Sequence, residues 1–237
     1  MYTFYMKKIH RFIGDFNLNS DVLVIRDKER VNHMCNVLKL FEGERICLCD
    51  GSGNEADARI KSYKKDFIEI QIVSRYCNIV EPTSEVTLFI AILKNDHFEL
   101  VVQKASEIGV SHIVPILTEH TVKQGVNIER LLKIATEAAE LSGRGRIPTI
   151  RNSMPFNKAI EYTRTSSDLV YFFDTAGNAI QKDESKKKIS LFVGPEGGWG
   201  DEERIIASDA GCVFISLGPR TLRGETAAII ASYLMCQ

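Results

Sequence analysis

Two glycine-rich loops contain the residues whose types and spacing point to chemistry. The first loop, residues 194–198 with the sequence GPEGG, follows an apolar run and precedes a helical pattern. Its glycines permit positive φ angles and let a flat ligand approach the backbone amides, while its proline fixes one turn residue. The same loop is also compatible with a tight strand-to-helix turn, because glycine-rich turns are common in α/β folds. This segment alone leaves both interpretations open.

The second loop, residues 217–228 with the sequence LGPRTLRGETAA, again joins an apolar run to a helical pattern. It brings Arg220, Arg223 and Glu225 to the start of that helix. A structural turn rarely needs three such charges together, because each must be solvated or paired. Ligands of open α/β sheets bind at the carboxyl ends of the strands, where such loops lie. The two loops together therefore predict a binding site.

A third glycine-containing segment, residues 51–56 with the sequence GSGNEA, fits the pattern of dinucleotide-binding loops. That pattern requires a helix next, whereas residues 55–60 alternate like a strand. A glycine-rich hairpin turn is the prediction here. The sequence contains neither a phosphate-binding loop of the form GxxxxGK[ST] nor an HExxH zinc motif.

Neither the five histidines nor the six cysteines have the spacing of a metal site. Cys47 and Cys49 alternate along a predicted strand, so their side chains share one face. Two thiols without further ligands make a weak metal site. We therefore predict reduced thiols and no bound metal.

The composition, 44% hydrophobic and 26% charged, is typical of a globular protein and contains no apolar run of membrane length. No apolar stretch follows the first basic residues, so we expect no signal peptide, a cytoplasmic location and no membrane contact. The net charge of −1 does not indicate a nucleic-acid binder. Any RNA affinity must come from local basic patches, for which charge alone favours solvated surface as the interpretation. These patches are Lys7, Lys8, His10 and Arg11, and Lys61, Lys64 and Lys65.

The pattern of apolar and polar residues along the chain changes near residue 80. Before it, short β-type segments surround one amphipathic helical stretch at residues 31–38, and residues 67–73 alternate as a strand with one buried face. This pattern predicts a small β-barrel over residues 1–76 and a linker over residues 77–84. From residue 85 to residue 237, apolar runs alternate with helical patterns, which is typical of an α/β domain whose parallel sheet is covered on both faces.

Five motifs, in order along the chain, resemble those of a known family. They are residues 93–94 (LK), 103–110 (QKASEIGV), 140–144 (ELSGR), 194–198 and 217–228. Near the N-terminus, residues 10–12 (HRF) and parts of residues 33–43 add to the resemblance. The family is the RsmE type of uracil-N3 methyltransferases of small-subunit ribosomal RNA, which belong to the SPOUT superfamily. The resemblance spans nearly the whole chain.

The resemblance implies a C-terminal α/β SPOUT methyltransferase domain with a trefoil knot and a parallel sheet, preceded by a PUA-like RNA-binding β-barrel. It implies S-adenosyl-L-methionine as cofactor and a homodimer. The implied substrate is a uridine of small-subunit (16S) ribosomal RNA, methylated at N3, either in naked RNA or in the assembled 30S subunit. Leu141, Trp199, Gly200 and Gly224 depart from the family's usual residues, which bears on rate or affinity more than on class.

The resemblance also assigns three groups of site residues. The catalytic group is Arg220, Arg223 and Glu225. The cofactor-binding group is Gly194, Pro195, Glu196, Gly197, Gly198, Leu217, Gly218, Leu222, Thr226 and Ala227. The RNA-binding group is Arg11, Lys94, Lys104 and Arg144.

Methylation of uracil N3 requires removal of the imide proton and in-line placement of the two reactants, whereas the sulfonium methyl needs no metal to be electrophilic. Arginine is too basic to accept the proton, but Arg220 and Arg223 can stabilise negative charge on the uracil carbonyl oxygens. Glu225 can accept the proton or orient an arginine. It is equally explained as a favourable carboxylate in the first turn of a helix.

Two other functions remain open at this stage. One is a SPOUT methyltransferase that acts on tRNA or on a ribose 2′-hydroxyl. The other is a noncatalytic RNA-binding protein of ribosome assembly that has kept the fold, which would bind RNA without binding the cofactor.

Overall fold

The described residues up to Glu81, together with Ala139–Arg146, form the first of two structural units, and Pro82–Ala138 with Ile147–Gln237 form the second. This computed structural model describes residues 9–64, 66–94, 96–122 and 125–237. Lys7, Lys8 and Lys65 of the predicted basic patches lie outside the described residues. The division after Glu81 falls inside the predicted linker, but residues 139–146 were not expected in the first unit.

The first unit contains a five-stranded sheet built from β1 (His10–Ile13), β2 (Val22–Ile25), β3 (Arg45–Cys49), β4 (Asn54–Lys64) and β5 (Phe67–Cys77). The strand order is β1-β3-β4-β5-β2. The β1–β3 pair is parallel and the other pairs are antiparallel. The alternation predicted for residues 67–73 is confirmed, because Ile68, Ile70 and Ile72 are buried in the core of this unit. Strand β5 thus contributes one apolar face to this core over residues 67–73.

The predicted helical stretch at residues 31–38 is divided into two short elements. Helix α1 (Lys28–Asn32) is capped at its N-terminus by Asp27, whose carboxylate accepts a hydrogen bond from the Arg30 amide. A single π-helical turn, His33–Val37, follows it. The dinucleotide-binding alternative for residues 51–56 is excluded as predicted, because β4 follows the turn and Gly51 and Gly53 adopt positive φ in it.

The second unit contains a parallel sheet of β6 (Glu85–Ala91), β7 (His112–Leu117), β8 (Thr149–Ile150), β9 (Met154–Pro155), β10 (Leu169–Ala179), β11 (Lys188–Val193) and β12 (Val213–Ser216). The strand order is β12-β10-β11-β6-β7-β8, and β9 also pairs with β7. All the pairings are parallel. The predicted α/β class with a parallel sheet is confirmed.

The helices that follow are α2 (His97–Ile108), α3 (Ile128–Ser142), α4 (Phe156–Ser166), α5 (Asp201–Asp209) and α6 (Gly224–Cys236). Alternate residues of β6 enter two different cores. Leu88 packs in a cluster with residues of α2 and α6, whereas Phe89 packs in a cluster with residues of α4 and α5. The sheet is therefore covered on both faces, which explains why its central strands are apolar throughout.

Strands β6, β11 and β12 end at the same edge of this sheet, because all its strands run parallel. Residues 92–94 follow β6, residues 194–200 follow β11, and residues 217–223 follow β12. Both predicted glycine-rich loops therefore lie at the carboxyl edge, the usual ligand edge of such sheets. Within the described ranges, no helix is long and apolar enough to cross a membrane.

Candidate functional site

Both glycine-rich loops line one cleft of about 340 Å³ in the second unit. The loop after β11 contributes Gly194 through Trp199, and the loop after β12 contributes Leu217 through Leu222 except Pro219. Gly224 and Ala227 of α6 complete that side. Nine of the ten predicted cofactor residues line this cleft: Gly194, Pro195, Glu196, Gly197, Gly198, Leu217, Gly218, Leu222 and Ala227. Thr226 is not among the lining residues.

Some glycines of the cleft are required by a positive φ angle, and others by close packing. Gly198 and Gly218 have φ angles of 72° and 111°, which disfavour any residue with a Cβ atom. A Cβ on Gly194 would lie 3.0 Å from the Trp199 ring, and one on Gly197 would lie 3.0 Å from the His120 Cβ. A Cβ on Gly218 would meet no atom within 4 Å and would therefore enter the open space of the cleft.

The Trp199 indole forms part of the base of the cleft. Its Nε1 donates a 2.9 Å hydrogen bond to the Phe173 carbonyl, and its ring lies 4.4 Å from the Phe172 ring. The residue is only 3% exposed. Because the buried N–H has a partner, the site accepts tryptophan where the resembling family usually has phenylalanine.

Two charged residues that the sequence analysis did not select also line the cleft. The Asp174 carboxylate is 3% exposed, and its Oδ2 lies 2.9 Å from Nε of Arg204. Its Oδ1 accepts a hydrogen bond from the Ala176 amide. A signal was present in the sequence, since Asp174 directly follows the apolar run 169–173 and so marks the carboxyl end of that run. Arg204 lies in α5 and had no such signal.

Glu196 connects two of the loops at this edge. One of its carboxylate oxygens accepts a 3.0 Å hydrogen bond from the Lys94 amide, which lies just after β6. A second cleft of about 390 Å³ is lined by Lys94, His120 and neighbouring residues, and it shares Glu196 and Gly197 with the first. The exposed Lys94 side chain therefore faces space that adjoins the predicted cofactor residues.

The three predicted catalytic residues occupy different environments. Arg220 is exposed and lines the first cleft. Arg223 precedes α6, is largely exposed, and its Nη1 lies 4.0 Å from Oε1 of Glu225. Glu225 is buried in the first turn of α6 and is not part of the cleft lining. Its Oε2 lies 3.5 Å from Nδ1 of His97, and within the described part of the chain neither atom has a hydrogen-bond partner.

The four predicted RNA-binding residues lie in different environments, two in each unit. In the first unit, Arg11 contacts the Glu55 carboxylate at 2.6 Å, and Arg144 pairs with Glu81 at 2.9 Å and is 4% exposed. Burial lowers the pKa of the Arg11 guanidinium, but its hydrogen bond to Glu55 raises that pKa above the ordinary arginine value. In the second unit, Lys104 pairs with a glutamate one turn further along α2. Of the four, only Lys94 lines a cleft.

Comparison with known proteins agrees with this architecture. A family model described as "RNA methyltransferase domain" matches residues 80–235, and one described as "RNA methyltransferase PUA domain" matches residues 25–73. The chain is thus of the class of RNA methyltransferases that carry a PUA domain. The predicted PUA-like N-terminal domain is confirmed.

Individual relatives indicate which family of RNA methyltransferases the chain resembles. The chain is 31% identical over 226 residues to "Ribosomal RNA small subunit methyltransferase E" of Rickettsia conorii, with 90% of this chain and 88% of that protein covered. The protein of the same name from Bacillus subtilis is 30% identical over 225 residues, with 86% and 85% covered. A crystal structure of ribosomal RNA small subunit methyltransferase E from Neisseria gonorrhoeae bound to S-adenosyl methionine matches with a TM-score of 0.88, 28% identity and 96% of each chain covered.

The chain belongs to the ribosomal RNA small subunit methyltransferase E family. The predicted family and the prediction of an enzyme are both confirmed.

Proposed function

We propose that this protein binds S-adenosyl-L-methionine in the cleft between residues 194–199 and 217–222 and transfers its methyl group to N3 of a uridine in 16S ribosomal RNA. The observation that carries the proposal is the convergence of both glycine-rich loops on one cleft at the carboxyl edge of the parallel sheet. The similar Neisseria gonorrhoeae enzyme was solved with S-adenosyl methionine bound. The names of the relatives support ribosomal RNA as the substrate.

The walls of the cleft suit the parts of this cofactor. Apolar residues such as Val193, Ile215 and Leu222 offer contact to the flat adenine ring. Glycine-rich backbone lets the amides approach the ligand closely. Asp174 and Arg204 supply an acceptor and a donor at the same wall for hydroxyl, ammonium or carboxylate groups of the ligand.

The proposed reaction is one displacement at the methyl carbon. The N3 lone pair forms the new N–C bond, and the S–C bond breaks with its electrons passing to sulfur, so that S-adenosylhomocysteine leaves. Arg220, which lines the cleft, stabilises the charge that develops on a uracil carbonyl oxygen. Placement of the reactants in line supplies much of the rate enhancement.

Glu225 is the proposed acceptor of the imide proton. Its Oε2 is buried without a hydrogen bond within the described chain, so this oxygen has an unused acceptor position. His97, 3.5 Å away and 35% exposed, provides a route from Glu225 to solvent. Arg223 Nη1 lies 4.0 Å from the other carboxylate oxygen of Glu225.

The remaining features belong to the same proposal. Of the four predicted RNA-binding residues, Lys94 and Lys104 are proposed to contact RNA, with Lys94 better placed because its cleft adjoins the cofactor cleft. Arg11 and Arg144 are instead held by ion pairs with Glu55 and Glu81. A homodimer is expected from the family resemblance, and the exposed apolar residues Ile230 and Tyr233 on α6 offer a surface for it. A cytoplasmic location follows from the ribosomal substrate.

One experiment tests the central claim. The enzyme and labelled S-adenosyl-L-methionine are incubated with 30S subunits from a strain that lacks this modification, and with naked 16S RNA in parallel. The RNA is then digested and the methylated nucleoside is identified, with N3-methyluridine as the expected product. A 2′-O-methylated nucleoside would refute the imide mechanism, and tight cofactor binding without transfer to RNA would favour the assembly-factor function.

A further inference from the structure

Three potential metal ligands converge in the first unit, far along the chain from the methyltransferase loops. They are Cys47 and Cys49 on β3 and Glu55 on β4, named here the thiol-carboxylate cluster. Cys49 and Glu55 are directly opposite in the antiparallel register, so their side chains share a face of the sheet. Cys47 lies two residues before Cys49 and therefore points to the same face.

Two of the three distances in the cluster are close to the edges of a tetrahedral site. The two Sγ atoms are 3.9 Å apart, and Cys47 Sγ lies 3.7 Å from Oε2 of Glu55. All three ligand atoms lie within 4.8 Å of one another. Tetrahedral zinc, with Zn–S of about 2.3 Å and Zn–O of about 2.1 Å, gives S···S and S···O edges of about 3.8 and 3.5 Å. Side-chain rotation that brings Cys49 Sγ and the Glu55 carboxylate closer together would close the site on an ion.

Burial and charge favour a cation of this kind. Cys47, Cys49 and Glu55 are 4%, 0% and 2% exposed. Arg11 donates to Cys49 Sγ at 2.8 Å and contacts Oε1 of Glu55, which leaves Oε2 directed to the thiols. Two thiolates would neutralise a divalent ion, while Glu55 and Arg11 neutralise each other. Binding would release the two thiol protons to solvent and leave the net charge of the cluster unchanged.

The surrounding residues supply the outer support that such sites use. Arg11 would remain as a donor to the Cys49 sulfur, and the Asn78 amide donates to the Glu55 carboxylate. The Tyr76 hydroxyl lies 3.5 Å from Cys47 Sγ, beside the fourth position of the tetrahedron. Each cluster residue is thus held from a second strand or segment of the same unit.

We propose that Cys47, Cys49 and Glu55 bind one thiophilic divalent cation of the zinc type, as a structural site that ties β3 to β4. Local cysteine spacing does not reveal this site, because the third ligand comes from the neighbouring strand. The proposed site is independent of methyl transfer, whose cleft lies in the other unit.

The test is titration of the reduced, untagged full-length protein with Cd²⁺, which reports thiolate binding through an ultraviolet charge-transfer band, followed by displacement with Zn²⁺. One equivalent is expected to saturate the band. Cys49→Ser should lower the affinity by at least about 100-fold, the upper end of the loss seen for outer-shell partners. Cys77→Ser is the matched control, because it removes an exposed thiol of the same unit and leaves the cluster intact. The charge-transfer band of the Cys77→Ser variant should be the same as that of the wild-type protein.

X-ray absorption of the zinc-loaded wild-type protein gives a readout that needs no variant to fold. Two sulfur neighbours with oxygen neighbours in the remaining positions are expected. The proposal is overturned if the wild-type protein shows no saturable band, if the band survives Cys49→Ser, or if the absorption spectrum shows no sulfur neighbours.

Discussion

His97 Nδ1 and Glu225 Oε2 lie 3.5 Å apart, both buried and both without a hydrogen bond within the described chain. One atom belongs to the start of α2 and the other to the first turn of α6. A carboxylate in the first turn of a helix interacts favourably with the helix dipole, but that role requires no imidazole beside it. Burial beside an imidazole instead suits a group that takes up and passes on a proton.

Replacement of Glu225 by glutamine should therefore reduce kcat by about 10²- to 10⁴-fold, the range of general-base catalysis, with little change in KM for the cofactor. Single-turnover transfer to 30S subunits measures this loss. Glu202→Gln is the matched control, since Glu202 is an exposed carboxylate in the first turn of α5. Equal rates for the Glu225→Gln variant and wild type would exclude Glu225 as the proton acceptor.

Arg220→Ala should depress kcat more than it weakens cofactor affinity, because the proposed contact forms with charge that develops only in the transition state. Stabilisation of such charge by one donor is worth about 10²- to 10³-fold in kcat. Transfer kinetics and calorimetric titration together separate the two effects. Arg164→Ala, at an exposed position near the end of α4, serves as the control. Equal losses in kcat and affinity would mean that Arg220 mainly binds.

Gly218→Val should abolish binding of S-adenosyl-L-methionine. The new side chain would enter open space in the cleft lining, and the φ of 111° adds backbone strain of about 1–3 kcal/mol. Gly211→Val is a close control, because Gly211 also has a positive φ, 76°, and open space around its Cβ, but lies outside the cleft lining. Both variants should lose stability in thermal melts, and only Gly218→Val should lose binding in calorimetry. Normal binding by Gly218→Val would move the cofactor elsewhere.

Arg204→Ala should lower the free energy of unfolding by about 1–3 kcal/mol, because it leaves the buried Asp174 carboxylate without its charged partner. The double variant Arg204→Ala with Asp174→Asn should recover part of that loss, since the uncompensated charge is then removed. Urea denaturation measures both values. If the double variant loses at least as much free energy of unfolding as the two single variants lose together, the ion pair between Arg204 and Asp174 does not explain the effect of Arg204→Ala.

Periodicity and loop composition were sufficient for most of the fold and for the position of the cleft. Alternation in residues 67–73 and the loops at 194–198 and 217–228 each depend on a local pattern, and local patterns are visible in a sequence. Helix α4 was missed, although Phe156, Ala159, Ile160 and Thr163 are buried at helical spacing, because polar residues and the two short strands before it interrupt the pattern.

Partners distant in the chain could not be predicted in the same way. Arg11 and Arg144 are of a residue type that often binds RNA, but in the structure they form ion pairs with Glu55 and Glu81. Nothing near either arginine in the sequence identifies its partner. For the same reason two cysteines without a third ligand indicated no metal site, since Glu55 approaches them only through the β3–β4 register.

The membership of Ala139–Arg146 in the first unit has a consequence for biosynthesis. Glu140 accepts a hydrogen bond from the Ile13 amide, Arg144 pairs with Glu81, and Gly145 packs closely against Asn78. A nascent chain that ends at residue 81 lacks all three contacts. Domains generally fold as units, N-terminal first, during synthesis. Here the N-terminal unit obtains its last contacts only after residue 146 has been translated, which is 65 residues later than the end of its own first segment at residue 81.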